Sequence, residues 1–149
     1  MKLQHLLHMI LAPLLVVIVG ISSCGENVWD EVPAPITSFL NQYFPNVGIS
    51  SYSESNNNYY IELRNDASMS FDVNSDWIVI DGNGSPLPSD LVLDQFPAPL
   101  YEYLESIEAA GSVYKVSRTN SIYNVTLFDA LIDYDIMTQT VTYHKQTES

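Results

Sequence analysis

The sequence predicts an α+β fold of two tandem repeats, each an amphipathic helix followed by three to four antiparallel strands, with the helices on one face of the sheet. Three observations predict it. The chain resembles itself at a spacing of 64 and then 63 residues, Val32-Pro33-Ala34-Pro35-Ile36 returning as Phe96-Pro97-Ala98-Pro99-Leu100. Behind each proline pair runs an apolar stripe of helical period. Beyond each stripe, apolar and polar residues alternate with the period of a half-buried strand.

The first 24 residues carry an address rather than a fold. Lys2 precedes a nearly unbroken apolar run from Leu6 to Val19, interrupted by Pro13. That length suits the core of a signal peptide better than a membrane span of about 20 residues. Ile21-Ser22-Ser23-Cys24 follows directly and resembles the bacterial lipoprotein signal, an aliphatic and two small residues ahead of the cysteine. The resemblance implies cleavage before Cys24 and acylation of its thiol and amine. Several acyl chains hold a protein to a membrane far better than one, at roughly 0.8 kcal/mol per buried methylene. Loss of Lys2 leaves four cations against 18 acids, a net charge of -14. Cys24 is the only cysteine, so no intramolecular disulfide is possible. Residues 25–31 read as a polar tether, Val28 and Trp29 excepted.

Repeat 1 occupies residues 32–81. Ile36, Phe39, Leu40, Tyr43 and Phe44 stand at i, i+3, i+4, i+7 and i+8 of a helix that Pro45 ends. The prolines at its start cost nothing, because the first helical N–H groups have no intrahelical partner. A first strand is expected around Val47 to Glu54. In the next, Tyr59, Ile61 and Leu63 alternate with Tyr60, Glu62 and Arg64. Met69, Phe71 and Val73, then Ile78 and Ile80, supply two more. Asn56-Asn57-Asn58, Asn65-Asp66 and Asn74-Ser75-Asp76 are the turns between them. The connector, residues 82–95, reads as a loop with one helical turn after Ser89.

Repeat 2 occupies residues 96–144. Leu100, Tyr103, Leu104 and Ile107 restore the helical stripe, which Gly111 ends. Strands follow around Val113 to Arg118, at Tyr123, Val125 and Leu127, at Ile132, Tyr134 and Ile136, and at Val141 and Tyr143. Residues 145–149 form a tail. Neither half alone has enough residues for a comfortable core, so a joined sheet is expected.

Val-Pro, an amphipathic helix, Tyr-Phe-Pro-Asn (43–46), Tyr-Tyr-Ile-Glu-Leu (59–63) and Phe-Asp-Val-Asn-Ser-Asp-Trp (71–77), in that order, resemble the PepSY-like or beta-lactamase-inhibitor-like domain of secreted and lipid-anchored Bacteroidetes proteins. The resemblance covers residues 32–144 and is strongest in the first half. The second half departs from it with Met137-Thr138-Gln139 where the first has Asn74-Ser75-Asp76. It implies the tandem helix-plus-sheet fold, an extracytoplasmic location and an inhibitor-like or ligand-binding role.

Composition and motifs narrow the chemistry. With a net charge of -13 and a pI near 4.1, the chain repels phosphate backbones, which disfavours a nucleic-acid partner. His144 is the one histidine of the body and sits at the end of the last strand, away from any nucleophile–base arrangement. Cys and His clusters for zinc and a Gly-rich phosphate loop are missing. Asp72 to Asp76 spaces oxygens as a calcium loop does, but Trp77 and Asn83 stand where an EF-hand needs Gly and Glu, so the stretch reads as a turn. Asp133 and Asp135 fall on a solvated sheet face, Glu102 and Glu105 on an exposed helix face. Tyr59, Tyr123 and Tyr134 read as core; Tyr52, Tyr60 and Tyr114 are expected to face outward.

The expected function is a lipid-anchored, non-enzymatic binding module of the cell envelope, with no cofactor and no metal. It is anchored to the outer membrane through Cys24, on the periplasmic or outer side, and recognises a protein or peptide. The alternative is a structural or accessory envelope lipoprotein that binds nothing small. Because Tyr59/Ile61/Leu63 and Tyr123/Val125/Leu127 must face the helices, alternation turns the opposite positions outward. Tyr60, Glu62, Arg64, Asn124, Thr126 and Phe128 are therefore the candidate partner-binding face.

Overall fold

The computed structural model describes residues 28–146; Cys24 and the expected lipoprotein signal lie outside them. The chain order is α1 (Val28–Glu31), α2 (Ala34–Tyr43), β1 (Ile49–Ser55), β2 (Asn58–Leu63), β3 (Ser68–Phe71), β4 (Trp77–Asp81), α3 (Ser89–Gln95), α4 (Ala98–Ser106), a 3₁₀ turn (Ala110–Ser112), β5 (Lys115–Arg118), β6 (Ile122–Thr126), β7 (Ala130–Asp135) and β8 (Thr140–Lys145). The strands form one open antiparallel sheet in the order β1 to β8, each paired with the next. Only the β4–β5 connection is long, and it carries α3 and α4.

The proline pairs do what their chemistry dictates. Pro33 and Pro97 precede α2 and α4, and their carbonyls accept the first helical N–H bonds, from Ile36 and Thr37 and from Tyr101. Pro35 and Pro99 sit in the first turn, where no N–H is missed. Helix α2 stops at Tyr43, and Asn46 takes a left-handed conformation (φ 63°) just past Pro45. Helix α4 stops differently. Gly111, the expected stop, lies in the 3₁₀ turn, and the reversal falls on Glu108 at φ 58°. Ile107 consequently leaves the helical stripe and is exposed.

One face of the sheet is the core. Ile61, Met69, Ile80, Val116, Val125 and Ile132 are register partners across β2 to β7, and all are buried. Ile36 and Leu40 of α2, Leu91 and Val92 of α3, and Leu100 and Leu104 of α4 join them in one cluster. The connector is thus more than a loop, since α3 is seven residues long and buries two of them completely.

Other local readings change as well. The β3–β4 pairing carries a bulge that sets Ser70 opposite Val79 and Phe71 opposite Trp77, so Ile78 is the extra residue. The inward pair is therefore Trp77 and Ile80, not Ile78 and Ile80. Val73, expected inside, lies past the end of β3 and is 60% exposed. Tyr52, expected outside, is half-buried against the core and stacks on Tyr59 with ring centroids 6.4 Å apart. Val28 and Trp29, in the expected tether, form α1 and pack against the same core.

Candidate functional site

The opposite face of the sheet carries the polar half of each strand, and two register rows describe it. One runs Ser53, Tyr60, Ser70, Val79, Ser117, Asn124, Asp133 and Thr142 from β1 to β8; beside it run Ser51, Glu62, Ser68, Asp81, Lys115, Thr126, Leu131 and His144. Over β1 to β4 the small serines leave a shallow depression of about 360 Å³, lined by Ser51, Ser53, Tyr60, Glu62, Ser68, Ser70 and Val79. Ser51 Oγ donates to Glu62 Oε2 at 3.0 Å and holds that carboxylate against the sheet. Each hydroxyl can donate and accept, so the surface suits polar recognition of varied geometry.

Over β5 to β8 the same face carries two carboxylates, Asp133 and Asp135, together with Lys115 and His144. Asn124 Nδ2 donates to Asp133 Oδ1 at 2.6 Å, and Asp133 Oδ2 lies 3.0 Å from His144 Nε2. Asp135 Oδ1 accepts the backbone N–H groups of Thr138 and Met137; the Thr138 bond, above all, holds its carboxyl below the ordinary range. At the centre of the sheet, Lys115 Nζ lies 2.9 Å from Asp81 Oδ2. Burial pushes the Asp81 carboxyl up, but the Lys115 pair and the Asn83 backbone N–H outweigh it and hold it below the usual carboxylate value.

All six candidate residues lie outside the buried core, but they do not form one patch. Tyr60, 41% exposed, and Glu62 border the serine depression. Arg64 follows the last residue of β2; its N–H donates to Gly48 O and its side chain lies along Gly48. Asn124 and Thr126 lie on β6, four strand spacings from β2, on the order of 19 Å. Phe128, 82% exposed, stands in the β6–β7 turn with its ring centroid 6.4 Å from that of Tyr114. Between the two groups lie residues that carry no obvious motif, Ser68, Ser70, Val79 and Ser117. The signal for the serines is their spacing of two, since Ser68 and Ser70 flank the buried Met69.

The Asp72–Asp76 stretch forms a turn. Asp72 Oδ1 accepts the backbone N–H groups of Asn74 at 2.8 Å and Asp76 at 2.9 Å, while Ser75 adopts φ 69°. Asp135 does the same for the β7–β8 turn. Among the described residues no group of three or more His, Cys, Asp or Glu side chains is placed to hold a metal ion. No described helix is long and apolar enough to cross a membrane.

The family described as "Putative beta-lactamase-inhibitor-like, PepSY-like" matches residues 28–75 and 57–143, together most of the chain. The chain belongs to this PepSY-like family. Solved structures share its fold. A "putative periplasmic protein from DUF2874 family" of Bacteroides vulgatus is 18% identical with a TM-score of 0.66, over 76% of this chain and 89% of its own. A "putative calcium-regulated periplasmic protein" of Bacteroides thetaiotaomicron is also 18% identical at 0.66, over 78% of this chain and 92% of its own. A second Bacteroides vulgatus protein, "a putative periplasmic protein of unknown function", is 16% identical at 0.64, over 78% and 94%. No curated protein matches the chain.

Proposed function

We propose that this PepSY-like protein is a lipid-anchored binding module of the cell envelope that holds a protein or peptide partner against the outer face of its sheet. The observation that carries this reading is the serine depression over β1 to β4, a concave floor of hydroxyls bordered by Tyr60 and Glu62 and lined by no described helix. A partner needs area at low entropic cost, which an aromatic such as Tyr60 supplies, and complementary charge, which an acidic surface asks of a basic partner. The anchor is Cys24, and the location is extracytoplasmic, at the outer membrane; the lipoprotein-like signal and the neighbours described as periplasmic support this. The two family matches and the helix-then-four-strands order found on each side of the connector support a tandem repeat.

Two experiments test the reading. Cys24→Ser is expected to abolish palmitate incorporation; equal labelling of the variant overturns the anchor. A soluble form beginning at Gly25 should capture a partner from envelope extract, and Ser70→Lys, which fills the depression, should remove that capture while leaving the unfolding midpoint in place. Undiminished capture by the folded variant moves the site elsewhere.

A further inference from the structure

A second cavity, of about 450 Å³, opens between the β3–β4 and β5–β6 turns, where the two halves of the sheet meet. Its lining includes Asp72, Asp76, Trp77, Arg118, Tyr123 and Ile136. Arg118 is the one basic side chain among the described residues that is half-buried rather than exposed. Its Nε donates to the carbonyl of Trp77 at 2.7 Å, and its guanidinium carbon lies 4.0 Å from the centroid of the Trp77 ring. The indole is itself fixed, since Trp77 Nε1 donates to Gln95 Oε1 at 3.0 Å and the ring meets Tyr123 edge-on at 5.9 Å.

That arrangement is unusual for so acidic a chain. A partly enclosed guanidinium ordinarily recruits a carboxylate, and two carboxylates line the same cavity. Neither comes within ion-pair distance, and only Lys115 and His144 are paired with acids among the described residues. The fork of terminal N–H groups, which suits a carboxylate held at two points, is left open. The two acids differ. Asp72 already spends one oxygen on the turn, whereas the Asp76 side chain makes no hydrogen bond to any described residue. The cavity therefore holds an immobilised cation, a separate carboxylate and an apolar wall of Ile78 and Ile136, within the size range of small-molecule sites, about 300–1,000 Å³.

We propose that this cavity binds a small zwitterion of amino-acid or dipeptide size, its carboxylate on Arg118, its ammonium on Asp76 and its apolar part against the half-buried Ile78 and Ile136, with the Arg118-capped Trp77 ring beneath. The site is distinct from the outer sheet face, so its failure leaves the proposed function standing.

The test uses the full chain in detergent with the dipeptide Ala-Phe, followed by ¹⁵N-resolved NMR of the Trp77 indole N–H and by calorimetry. Ala-Phe is expected to move the Trp77 indole signal saturably. N-acetyl-Ala-Phe and Ala-Phe-amide, which each lack one charge, should bind at least about tenfold more weakly, the cost of one lost charged contact. Arg118→Lys keeps the charge but loses the fork and the stacking, and it should weaken Ala-Phe by a similar factor with far-UV circular dichroism unchanged. Asp76→Asn should weaken Ala-Phe by about as much while leaving the acetylated form unaffected. An indole signal that does not respond to millimolar Ala-Phe overturns the proposal. Equal binding of the acetylated form overturns it too, reducing the site to a reader of carboxylates alone.

Discussion

Phe71 in β3 and Tyr134 in β7 are both buried at the centre of their half of the sheet, but their outward neighbours differ. Ser70 precedes Phe71 and lies on the hydroxyl floor; Asp133 and Asp135 flank Tyr134 and bring carboxylates to the same face. The edges differ as well. Beside β1, α1 adds Val28 and Trp29 to the core, whereas Tyr143 on β8 is 46% exposed. The inner face of a sheet is constrained by the helices it must meet, and the outer face is free to carry chemistry. Similar cores with different outer faces put the variation between the halves on the outside.

The largest expected effect probes the likeness of the two cores. Phe71→Ala and Tyr134→Ala should each cost about 3–5 kcal/mol, because each empties a fully enclosed site. Urea unfolding monitored by circular dichroism measures both. One cooperative transition is expected, since a single cluster spans both halves. Two separate transitions, or a Tyr134→Ala variant as stable as the parent, would break the comparison.

The connector between the halves supplies the next effect. A Cβ at Gly82 would stand 1.9 Å from the Ser85 carbonyl oxygen, and Gly82 N–H already donates to Tyr114 O at 2.8 Å. Gly82→Ala should cost roughly 1–3 kcal/mol by overpacking backbone against backbone. Gly111→Ala meets nothing within 4 Å and should stay within about 0.5 kcal/mol. A reversed order in thermal melts would remove the connector from the structural frame.

Much of the frame is legible in the chain, and the reasons for the exceptions are physical. Apolar alternation places Ile61, Leu63, Met69, Phe71, Val125 and Ile132 inside, because burial acts on every second residue of a strand. It fails at Ile78, where one bulged residue resets the phase of β4. It fails at Tyr52, whose serine-rich strand looks polar but whose ring can lie against the core beside Tyr59. Helix α3 is hidden by its brevity, as two buried residues cannot show a period. The candidate face is legible only as a set of outward positions. Sequence alternation says that Tyr60 and Phe128 point out, but not that four strand spacings separate β2 from β6. Arg118 on Trp77 joins residues 41 apart, and no local pattern announces it.

The Asp81–Lys115 pair joins the halves on the outer face, and its titration tests that seam. Because the folded carboxyl lies below its ordinary value, the pair stabilises the protein above the unfolded carboxylate pKa, and the contribution disappears as pH falls through the folded value. Both groups are partly exposed, so the effect should be under about 1 kcal/mol and shrink with salt. Stability measured from pH 7 down to acid should fall less steeply in Asp81→Asn. A variant with the parent's slope would mean that the pair adds nothing to the seam.

The smallest stability effects belong to the exposed aromatics, and there the two outer faces can be told apart. Tyr60→Ala and Phe128→Ala should each leave the unfolding free energy within about 1 kcal/mol, since both rings are substantially exposed in the folded state. Their effects on partner capture should diverge. Tyr60 borders the hydroxyl depression, next to register partners Ser53 and Ser70, so a partner seated there must cover its ring. Phe128 stands in a turn of the β5–β8 half, with Tyr114 as its ring neighbour. If the serine floor is the recognition surface, Tyr60→Ala loses capture from envelope extract and Phe128→Ala keeps it, in keeping with binding energy concentrated in a few aromatic side chains. Capture lost with Phe128→Ala alone would transfer the role to the β5–β8 half. Capture lost with either would require a partner broad enough to span the four strand spacings between β2 and β6.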